Sequence, residues 1–535
     1  MKGIYWFFFI LLFTFKNYSQ EHSNVLFSID NENYLTADFL HSYKNNLKVI
    51  SESKTNSIQD YLKLFVNFKL KVKEAQAMGL DTLPKFKNEL QHYKNALVLP
   101  YLKDTLIKKK LILEGYNRLQ NEINASHILV TIPPNTSPKD TLIYFNKILK
   151  AKGFLLNGDN FKEVAKKYSE DPSVIENDGN LGFFTAFQMV YPFENIAYNT
   201  KINEISEPFR TRFGYHILKV HDIRKSRGEI EVNHLILSKN TQNVVRKIDS
   251  IYKLLETKKA TFKEMVQKFS EDRESASNNG LMPKFGTGAI VSEFEDVAFA
   301  LKMEGDISKP FETSFGWHII QLHKKYPLES FNILYDKLGV MVDNDERATI
   351  ISKSTVNKLL KKYNISINNT ALQQFKNEDW KTNNAKFNNT LLSINDKKIG
   401  QQTFINYLNT VKYTSIYDAF ENFKEKEVIT YFKETLEFTN SEFATLYTDF
   451  KDGLLLFDLM DKLVWQKSTN LNELNAYFIK NKELKYHAKT FEEVSDQVMV
   501  DYQLSLEEIL LKNLYSKYTV HINSDENSRI INFKF

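Results

Sequence analysis

Apolar residues near the start of the chain recur at the three- and four-residue spacing of a helix. Residues 61–80 carry such a stripe, and so do residues 83–102, where Pro100 marks a break or kink. Gly79 is suited to ending the first of these helices, because glycine readily adopts the left-handed conformation that follows many helices. Ahead of them, residues 25–39 combine a short apolar run, a polar turn and a helix start, which predicts a strand followed by a helix. The N-terminal region is therefore predicted to be mainly helical.

The pattern changes to strand-like alternation at residues 125–130 (ASHILV), which places His127 and Leu129 on one face. Helical segments are expected at about 141–156 and within 161–173, where an Asp-Pro pair ends the second segment. Beyond them, GNLGFF forms a glycine-punctuated turn into the helix of PFENIAY, and EPF and YHILKV are predicted strands. The order β-α-α-α-β-β around a small sheet predicts an α+β domain of about a hundred residues.

This order of elements occurs twice in the chain. The segments GNLGFF, QMVYPFENIAY and ISEPFRTRFGYHILKV are followed by NNGLMPKFG, IVSEFEDVAFAL and ISKPFETSFGWHIIQL. Phe193 and Phe294 are 101 positions apart, and His216 and His318 are 102 positions apart. A nearly constant offset over this length means two copies of one small domain in tandem. We place the first copy at residues 121–224 and the second copy at residues 227–326.

The remaining region, residues 328–535, is predicted to be mainly helical. Within it, residues 391–408 repeat the shape of residues 26–43, which is a strand, an Asx turn and a helix. The last residues, 518–535, are predicted to be irregular or strand. We expect this region to complete a helical body with the N-terminal region, residues 20–120.

Composition and charge narrow the range of functions. The chain has 535 residues, of which 42% are hydrophobic and 26% charged, as expected for a globular protein of several domains. Lys plus Arg number 71 against 66 for Asp plus Glu, so no large basic field indicates nucleic-acid binding. The chain contains no cysteine, which excludes disulfides and thiolate zinc sites, and its sequence shows no metal-ligand cluster.

The first residues have the character of an export signal. Lys2 precedes an apolar run at residues 4–15, and Ser19 and Gln20 open a polar stretch. The apolar run is too short to span about 30 Å of hydrocarbon as a helix, but it suits the central part of a secretory signal. We therefore predict a signal peptide at residues 1–19, cleaved near Ser19-Gln20, and an exported protein. A retained N-terminal anchor is the alternative.

Both copies resemble parvulin-type (PpiC-like) peptidyl-prolyl cis–trans isomerases through the motifs quoted above. A long chain with two such domains behind a signal peptide looks like the periplasmic SurA-like chaperone–isomerases, whose N-terminal segment is similar to FVNFKLKVKEA and AMGLDT here. The resemblance implies an α+β fold with two tandem parvulin-like domains flanked by mainly helical chaperone-like regions. It also implies a periplasmic isomerase and folding chaperone without a cofactor. Its clients would be unfolded exported proteins, in particular outer-membrane proteins.

The resemblance assigns matched roles to residues in the two copies. A prolyl isomerase needs a dry pocket for the proline ring and groups that favour the twisted amide, but no nucleophile or metal. The positions that would grip the proline ring are Leu181, Met189 and Phe193 in the first copy and Met282, Ile290 and Phe294 in the second. The positions that would form the polar network under the pocket are His127, Asp171, Thr211 and His216 in the first copy and His234, Asp272, Thr313 and His318 in the second.

Two differences between the copies bear on their activity. Pro283 in the second copy stands where the first has Gly182, which stiffens a turn that glycine leaves free. Ile290 replaces Met189, so a stiff β-branched side chain takes the place of a deformable one. The second pocket stays apolar, and we expect it to bind proline peptides more securely than it turns them over.

Other interpretations of these residues remain open. Paired histidines on facing strands are often satisfied core residues, and a Met/Phe stripe is often core, although the matched positions and spacing of the two copies favour a site. A zinc site is disfavoured because His216 and His221 are five apart on a strand and so lie on opposite faces. The helical flanks could form a plain bundle with no client surface. The chain as a whole could be a holdase whose parvulin modules bind clients without significant turnover.

Overall fold

The structure is a computed structural model that describes residues 24–52, 57–133, 136, 140–413 and 415–531. The predicted signal peptide at residues 1–19 lies outside these ranges. Within them, no helix is both long enough and apolar enough to cross a membrane. The described strands, numbered in chain order, are β1 (Val25–Ile29), β2 (Glu32–Leu35), β3 (Asn121–Thr131), β4 (Asn180–Phe184), β5 (Phe209–Arg210), β6 (Gly214–Lys225), β7 (Glu229–Ser238), β8 (Phe285–Gly286), β9 (Phe311–Glu312), β10 (Gly316–Tyr326), β11 (Ile365–Ile367), β12 (Thr390–Ile394), β13 (Lys397–Gly400) and β14 (Val520–Ile522).

The chain divides into two compact units, one of residues 1–99 and 433–535 and the other of residues 100–432. In the first unit the strand order is β14-β1-β2, with every pair antiparallel. Leu26, Phe27 and Ile29 of β1 are fully buried, and they pack against helices from both ends of the chain. The helices of this unit are Thr36–Glu52, Ile58–Ala77, Pro84–Val98, Ser441–Met460, Gln466–Ser468, Leu471–Asn481, Phe491–Lys517 and Ser524–Ile531.

The second unit contains both copies and the helices next to them. Its helices are Thr105–Leu119, Leu142–Leu156, Phe161–Tyr168, Val174–Asn177, Tyr191–Asn199, Val244–Glu256, Phe262–Phe269, Arg273–Ser277, Ser292–Ala300, Phe331–Asp343, Arg347–Lys362, Asn369–Gln373, Gln401–Leu408 and Ile416–Thr439, the last of which ends in the first unit. The helices Thr105–Leu119, Phe331–Asp343 and Arg347–Lys362 share one apolar cluster, which we call the flanking-helix cluster. A further small sheet has the order β11-β12-β13.

Each copy is a four-stranded antiparallel sheet covered by helices, so the α+β prediction is confirmed. The strand order is β4-β3-β6-β5 in the first copy and β8-β7-β10-β9 in the second. Because side chains alternate along a strand, one face of the first sheet packs Ile128 and Val130 against helices Leu142–Leu156 and Phe161–Tyr168. The opposite face carries Ile123 and Leu218 under helix Tyr191–Asn199.

The order of elements within a copy differs from the prediction in two respects. GNLGFF was expected to be a turn, but Asn180–Phe184 is a strand that pairs with β3. The local sequence does not predict a strand because glycine interrupts it. Hydrogen bonding to β3 stabilises the strand instead. The order in the first copy is therefore β-α-α-α-β-α-β-β, with the additional short helix Val174–Asn177.

Two predictions about the C-terminal region have different outcomes. Residues 390–408 form a hairpin followed by a helix, as residues 25–52 do, so the predicted similarity between these two segments is confirmed. The end of the chain was expected to be irregular or strand, but Ser524–Ile531 is a helix. Strand β14 precedes this helix and pairs with β1. The two strands are almost the whole chain apart in sequence, so local pattern does not predict their pairing.

Candidate active site

The two candidate histidines of the first copy lie on neighbouring central strands. His127 of β3 faces Leu218 of β6, and Leu129 faces His216, so the two histidines are diagonal neighbours on the same face of the sheet. Their rings stack at 5.7 Å between centroids, and both side chains are almost completely buried. The strand register therefore brings together two polar rings that are far apart in sequence.

Aromatic rings enclose this histidine pair. Phe193, on helix Tyr191–Asn199, presents its edge to both histidines with each pair of centroids 5.6 to 5.7 Å apart. The partly buried Leu181 and Met189 belong to the same apolar cluster as Phe193. The three residues predicted to grip a proline ring thus lie together above the histidines, at the border between the core and the surface.

Asp171 and Thr211 contact opposite ends of the histidine pair. Asp171 Oδ2 lies 3.0 Å from His127 Nε2, and Asp171 Oδ1 accepts hydrogen bonds from the Ser173 backbone and hydroxyl. Thr211 Oγ1 lies 2.8 Å from His216 Nε2, within hydrogen-bonding distance. All four predicted polar positions of the first copy therefore form one connected group. Asp171 also orders its own turn, so part of its role is structural.

Burial keeps the histidines neutral. Burial lowers the pKa of His127, although the Asp171 charge acts in the opposite direction. Burial, together with the proximity of His127, lowers the pKa of His216 to about 3. For Asp171, burial alone would raise the pKa, but hydrogen bonds from Ser173 and the contact with His127 outweigh it and the pKa is lowered. At neutral pH the site holds two uncharged imidazoles and one carboxylate.

The second copy repeats this arrangement with a different hydrogen-bond pattern. His234 Nε2 lies 2.9 Å from His318 Nδ1, so the two histidines are hydrogen-bonded to each other. Thr313 Oγ1 lies 2.7 Å from His318 Nε2. Asp272 Oδ2 is 3.6 Å from His234 Nδ1, farther than in the first copy, and Asp272 caps helix Arg273–Ser277. Burial lowers the pKa of His234 to about 4 and that of His318 to about 3.

The pocket residues of the second copy also lie together. Phe294 presents its edge to His234 and His318 at 5.4 and 5.6 Å between centroids. Met282 and Ile290 pack as partly buried members of the same cluster. The second site is thus assembled from the matched positions, as the offset between the copies predicts.

The turn that contains Gly182 in the first copy and Pro283 in the second has a different backbone structure in the two copies. Gly182 has φ +67°, in the left-handed region that proline cannot adopt. It lies inside strand β4, whereas the matched Pro283 lies before the much shorter strand β8, Phe285–Gly286. Proline also lacks the N–H that a strand pairing needs. The edge of the second sheet beside its pocket is therefore shorter.

Sequence reasoning missed one aromatic residue in each site. Phe209 stacks on His216 at 5.4 Å and presents its edge to Phe193 at 5.7 Å. Phe311 does the same in the second copy, where it stacks on His318 at 5.2 Å. The signal was available, because both residues follow a proline at matched positions in ISEPF and ISKPF. The pattern of these segments predicts strands and by itself does not place their aromatic rings in the site.

The structure gives no support to a metal site among the described residues. His221, the third matched histidine of the first copy, lies on the other face of β6 and its Nε2 is 2.7 Å from Ser126 Oγ. Within the described ranges no group of three or more His, Asp or Glu side chains is placed to hold a metal ion.

The buried histidines predict how stability depends on pH. The pKa values of His216 and His318 are lowered to about 3, while an unfolded histidine titrates near pH 6.5. As the pH falls below about 6.5 the unfolded chain takes up protons that the folded chain does not. Each histidine should then cost about 1.4 kcal/mol of folding stability per pH unit, and have no such effect above that range. Urea titrations of the chain between pH 7.5 and 4.5 measure this slope.

The matched variant is His216→Gln combined with His318→Gln. It should lose less stability on acidification than the parent chain, by about 1.4 kcal/mol per pH unit for each histidine removed. Equal slopes for the two proteins would contradict neutral burial of these rings.

Comparison with known protein families assigns both copies. Residues 127–222 and 230–324 match the rotamase PPIC-type PPIASE domain. The chain thus carries two parvulin domains in tandem, and each match begins in or beside a strand that holds a candidate histidine.

Individual relatives match parts of the chain. It is 29% identical over 234 residues to the chaperone SurA of Photorhabdus laumondii, covering 42% of this chain and 53% of that protein. It is 42% identical over 126 residues to the foldase protein PrsA 1 of Bacillus cereus, covering 24% of this chain and 39% of the foldase. Among solved structures, the parvulin NmPin of Nitrosopumilus maritimus is 36% identical, with coverage of 19% of this chain, 97% of that chain and a TM-score of 0.16. The chain spans about half the length, or less, of these curated relatives.

Proposed function

Because two PPIC-type domains lie in tandem in this chain, we propose that it is a peptidyl-prolyl cis–trans isomerase and folding chaperone for unfolded exported proteins. The observation that supports this most is the repeated site, in which an aromatic and aliphatic pocket stands over two neutral, buried histidines. We further propose that the chain acts in the periplasm and that outer-membrane proteins are among its clients. The likeness to SurA chaperones supports both.

The chemistry required is modest. Rotation about an X-Pro bond is slow because the C–N bond has partial double-bond character, with a barrier of about 18–20 kcal/mol. A pocket that excludes water and holds the proline ring favours the twisted amide, whose carbonyl and nitrogen are no longer conjugated. Phe193, Met189 and Leu181 supply apolar walls on one side of such a pocket in the first copy.

We assign the polar residues beneath the pocket to orientation. His127 and His216 are neutral, so they can donate or accept hydrogen bonds without placing a full charge beside the amide. Thr211 fixes the ring of His216 through their 2.8 Å contact. Asp171 contacts His127 from the more exposed side, where it selects the tautomer of that ring. The second copy offers the same groups in Thr313, Asp272 and the bonded histidine pair.

The alternative is a holdase whose parvulin domains bind clients without turnover. It is less favoured because both copies keep every polar position of the site in contact, which binding alone does not require.

One pair of assays on a single preparation tests the proposal. We expect catalytic amounts of the chain to accelerate the slow, proline-limited refolding phase of a denatured substrate protein. We expect stoichiometric amounts to suppress aggregation of an unfolded outer-membrane protein. Suppression without acceleration would favour the holdase, and neither activity would overturn the proposal.

A further inference from the structure

The loop that leads into Met189 has an unusual backbone in the first copy. Phe187 has φ +67°, and the matched Gly288 of the second copy has φ +81°. Glycine takes this left-handed conformation without steric cost, whereas phenylalanine is strained there. Contacts around Phe187 must therefore hold it in place, only two residues from the wall of the pocket.

Those contacts come from helices outside the first copy. The Phe187 ring packs so closely on Gly115, in helix Thr105–Leu119, that a β-carbon at Gly115 would lie 2.6 Å from it. On helix Arg347–Lys362, the guanidinium carbon of Arg347 lies 4.3 Å from the centre of the same ring. Phe187 also packs against the flanking-helix cluster. The ring is thus enclosed between two helices that belong to neither copy.

A buried glutamate joins the loop to the same two helices. Glu194 is completely buried, and its Oε2 accepts a 2.8 Å hydrogen bond from the backbone N–H of Phe187. Its Oε1 accepts hydrogen bonds from Arg118 of helix Thr105–Leu119 at 2.8 Å and from the fully buried Arg347 at 2.5 Å. Glu194 follows Phe193 directly in sequence, so this ion-pair group fixes both ends of the pocket wall.

The second copy keeps the glutamate but lacks the ring. Glu295 accepts hydrogen bonds from the backbone of Ala289 and Ile290, and its charge is paired with Arg227, which precedes β7 at the start of the second copy. Gly288 offers no side chain to any neighbouring helix. The enclosed ring therefore distinguishes the first pocket from the second.

We propose that Phe187 is a positioning residue through which helices Thr105–Leu119 and Arg347–Lys362 set the position of Met189 in the first proline pocket. The proposal rests on the isomerase function proposed above. It makes the turnover of the first copy dependent on helices that lie outside the parvulin domain.

The substitution Gly115→Ala tests this from the helix side. The three heavy atoms nearest to the added β-carbon, apart from those of the helix's own backbone, all belong to the Phe187 ring, so the new methyl group presses first on that ring. In the full chain carrying Phe294→Ala, which reports the first copy alone, we expect kcat/KM for a short X-Pro peptide to fall about tenfold. The Kd of the peptide should change less than about threefold. Adding Phe187→Gly removes the ring, so Gly115→Ala should then have no further effect.

Two further variants separate positioning from general destabilisation. Arg347→Lys keeps the charge but loses the planar group that lies over the Phe187 ring and also bonds Glu194 and Asp345, and it should lower turnover as Gly115→Ala does. Ser354→Ala removes a 2.6 Å hydrogen bond to Asp104 that joins the same two helices without touching the loop, and it should leave turnover unchanged. Full turnover in Phe187→Gly, or an equal effect of Gly115→Ala with and without the ring, would overturn the proposal.

An NMR measurement tests the coupling of Phe187 to Met189 independently of isomerase activity. The chain is labelled with ¹³C-methyl methionine, and the NMR signal of the Met189 methyl group is assigned by its loss in Met189→Leu. This signal should shift in Gly115→Ala. It should not shift when Gly115→Ala is added to a chain that already carries Phe187→Gly. If the parent chain has no turnover, the isomerase function fails while this shift still tests the coupling. An unmoved Met189 signal refutes the coupling whatever the turnover.

Discussion

A chain carrying Met189→Ala, Phe193→Ala and Phe294→Ala is expected to lose prolyl turnover while it still suppresses aggregation. Phe193 and Phe294 are 3% and 2% exposed and each contacts both histidines of its site, so their removal opens both pockets to water. The X-Pro bond should then isomerise at its uncatalysed rate, over tens to hundreds of seconds. Aggregation suppression should persist because the helical regions need no proline pocket to bind apolar segments. Proline-limited refolding and light scattering measure the two activities.

A matched control is needed because removing a buried phenylalanine costs about 3–5 kcal/mol of stability. Ile128→Ala with Ile319→Ala removes equally buried side chains from the opposite face of the same two sheets, away from both pockets. This variant should lose comparable stability and keep its turnover. If the triple variant, shown by circular dichroism to be folded, loses both activities together, then the two functions are not separable.

The repeat allowed much of the candidate site to be predicted. A constant offset identifies which residues of two copies are equivalent, and period-two alternation places His127 on the same face as Leu129. The proximity of His127 to His216 on one face follows once β3 and β6 are adjacent in this register. These inferences need only local pattern and comparison within one chain.

What could not be predicted depends on contacts between distant parts of the chain. Strand β4 exists because β3 lies beside it, and β14 exists because β1 does. The ion pair of Glu194 with Arg347 joins residues 153 positions apart, and nothing in either local sequence indicates it. Phe187 would have been assigned to a loop, because no sequence rule shows that its ring fits over Gly115.

The two copies should also differ in rate, with the first the better isomerase. Met189 in the first pocket is deformable, whereas the matched Ile290 is stiff at its β-carbon. In the second copy His234 Nε2 and His318 Nδ1 form a 2.9 Å hydrogen bond that the first copy lacks, while His127 of the first copy lies closer to Asp171, at 3.0 Å, than His234 does to Asp272, at 3.6 Å. A stiff pocket binds the planar ground state and the twisted transition state of the amide with more nearly equal affinity. Equal affinity for the two states tightens peptide binding but does not accelerate rotation.

Two single variants of the full chain isolate the copies. Phe294→Ala leaves the first site and Phe193→Ala leaves the second, and we expect kcat/KM for a short X-Pro peptide to be about tenfold higher in the former. Adding Ile290→Met to the Phe193→Ala chain should raise its kcat/KM several-fold while the Kd of the peptide changes less than about twofold, because a flexible wall favours the transition state over the ground state. A second site that already matches the first in rate would refute this account, since the stiffness of Ile290 and the short strand beside Pro283 would then have no consequence for catalysis.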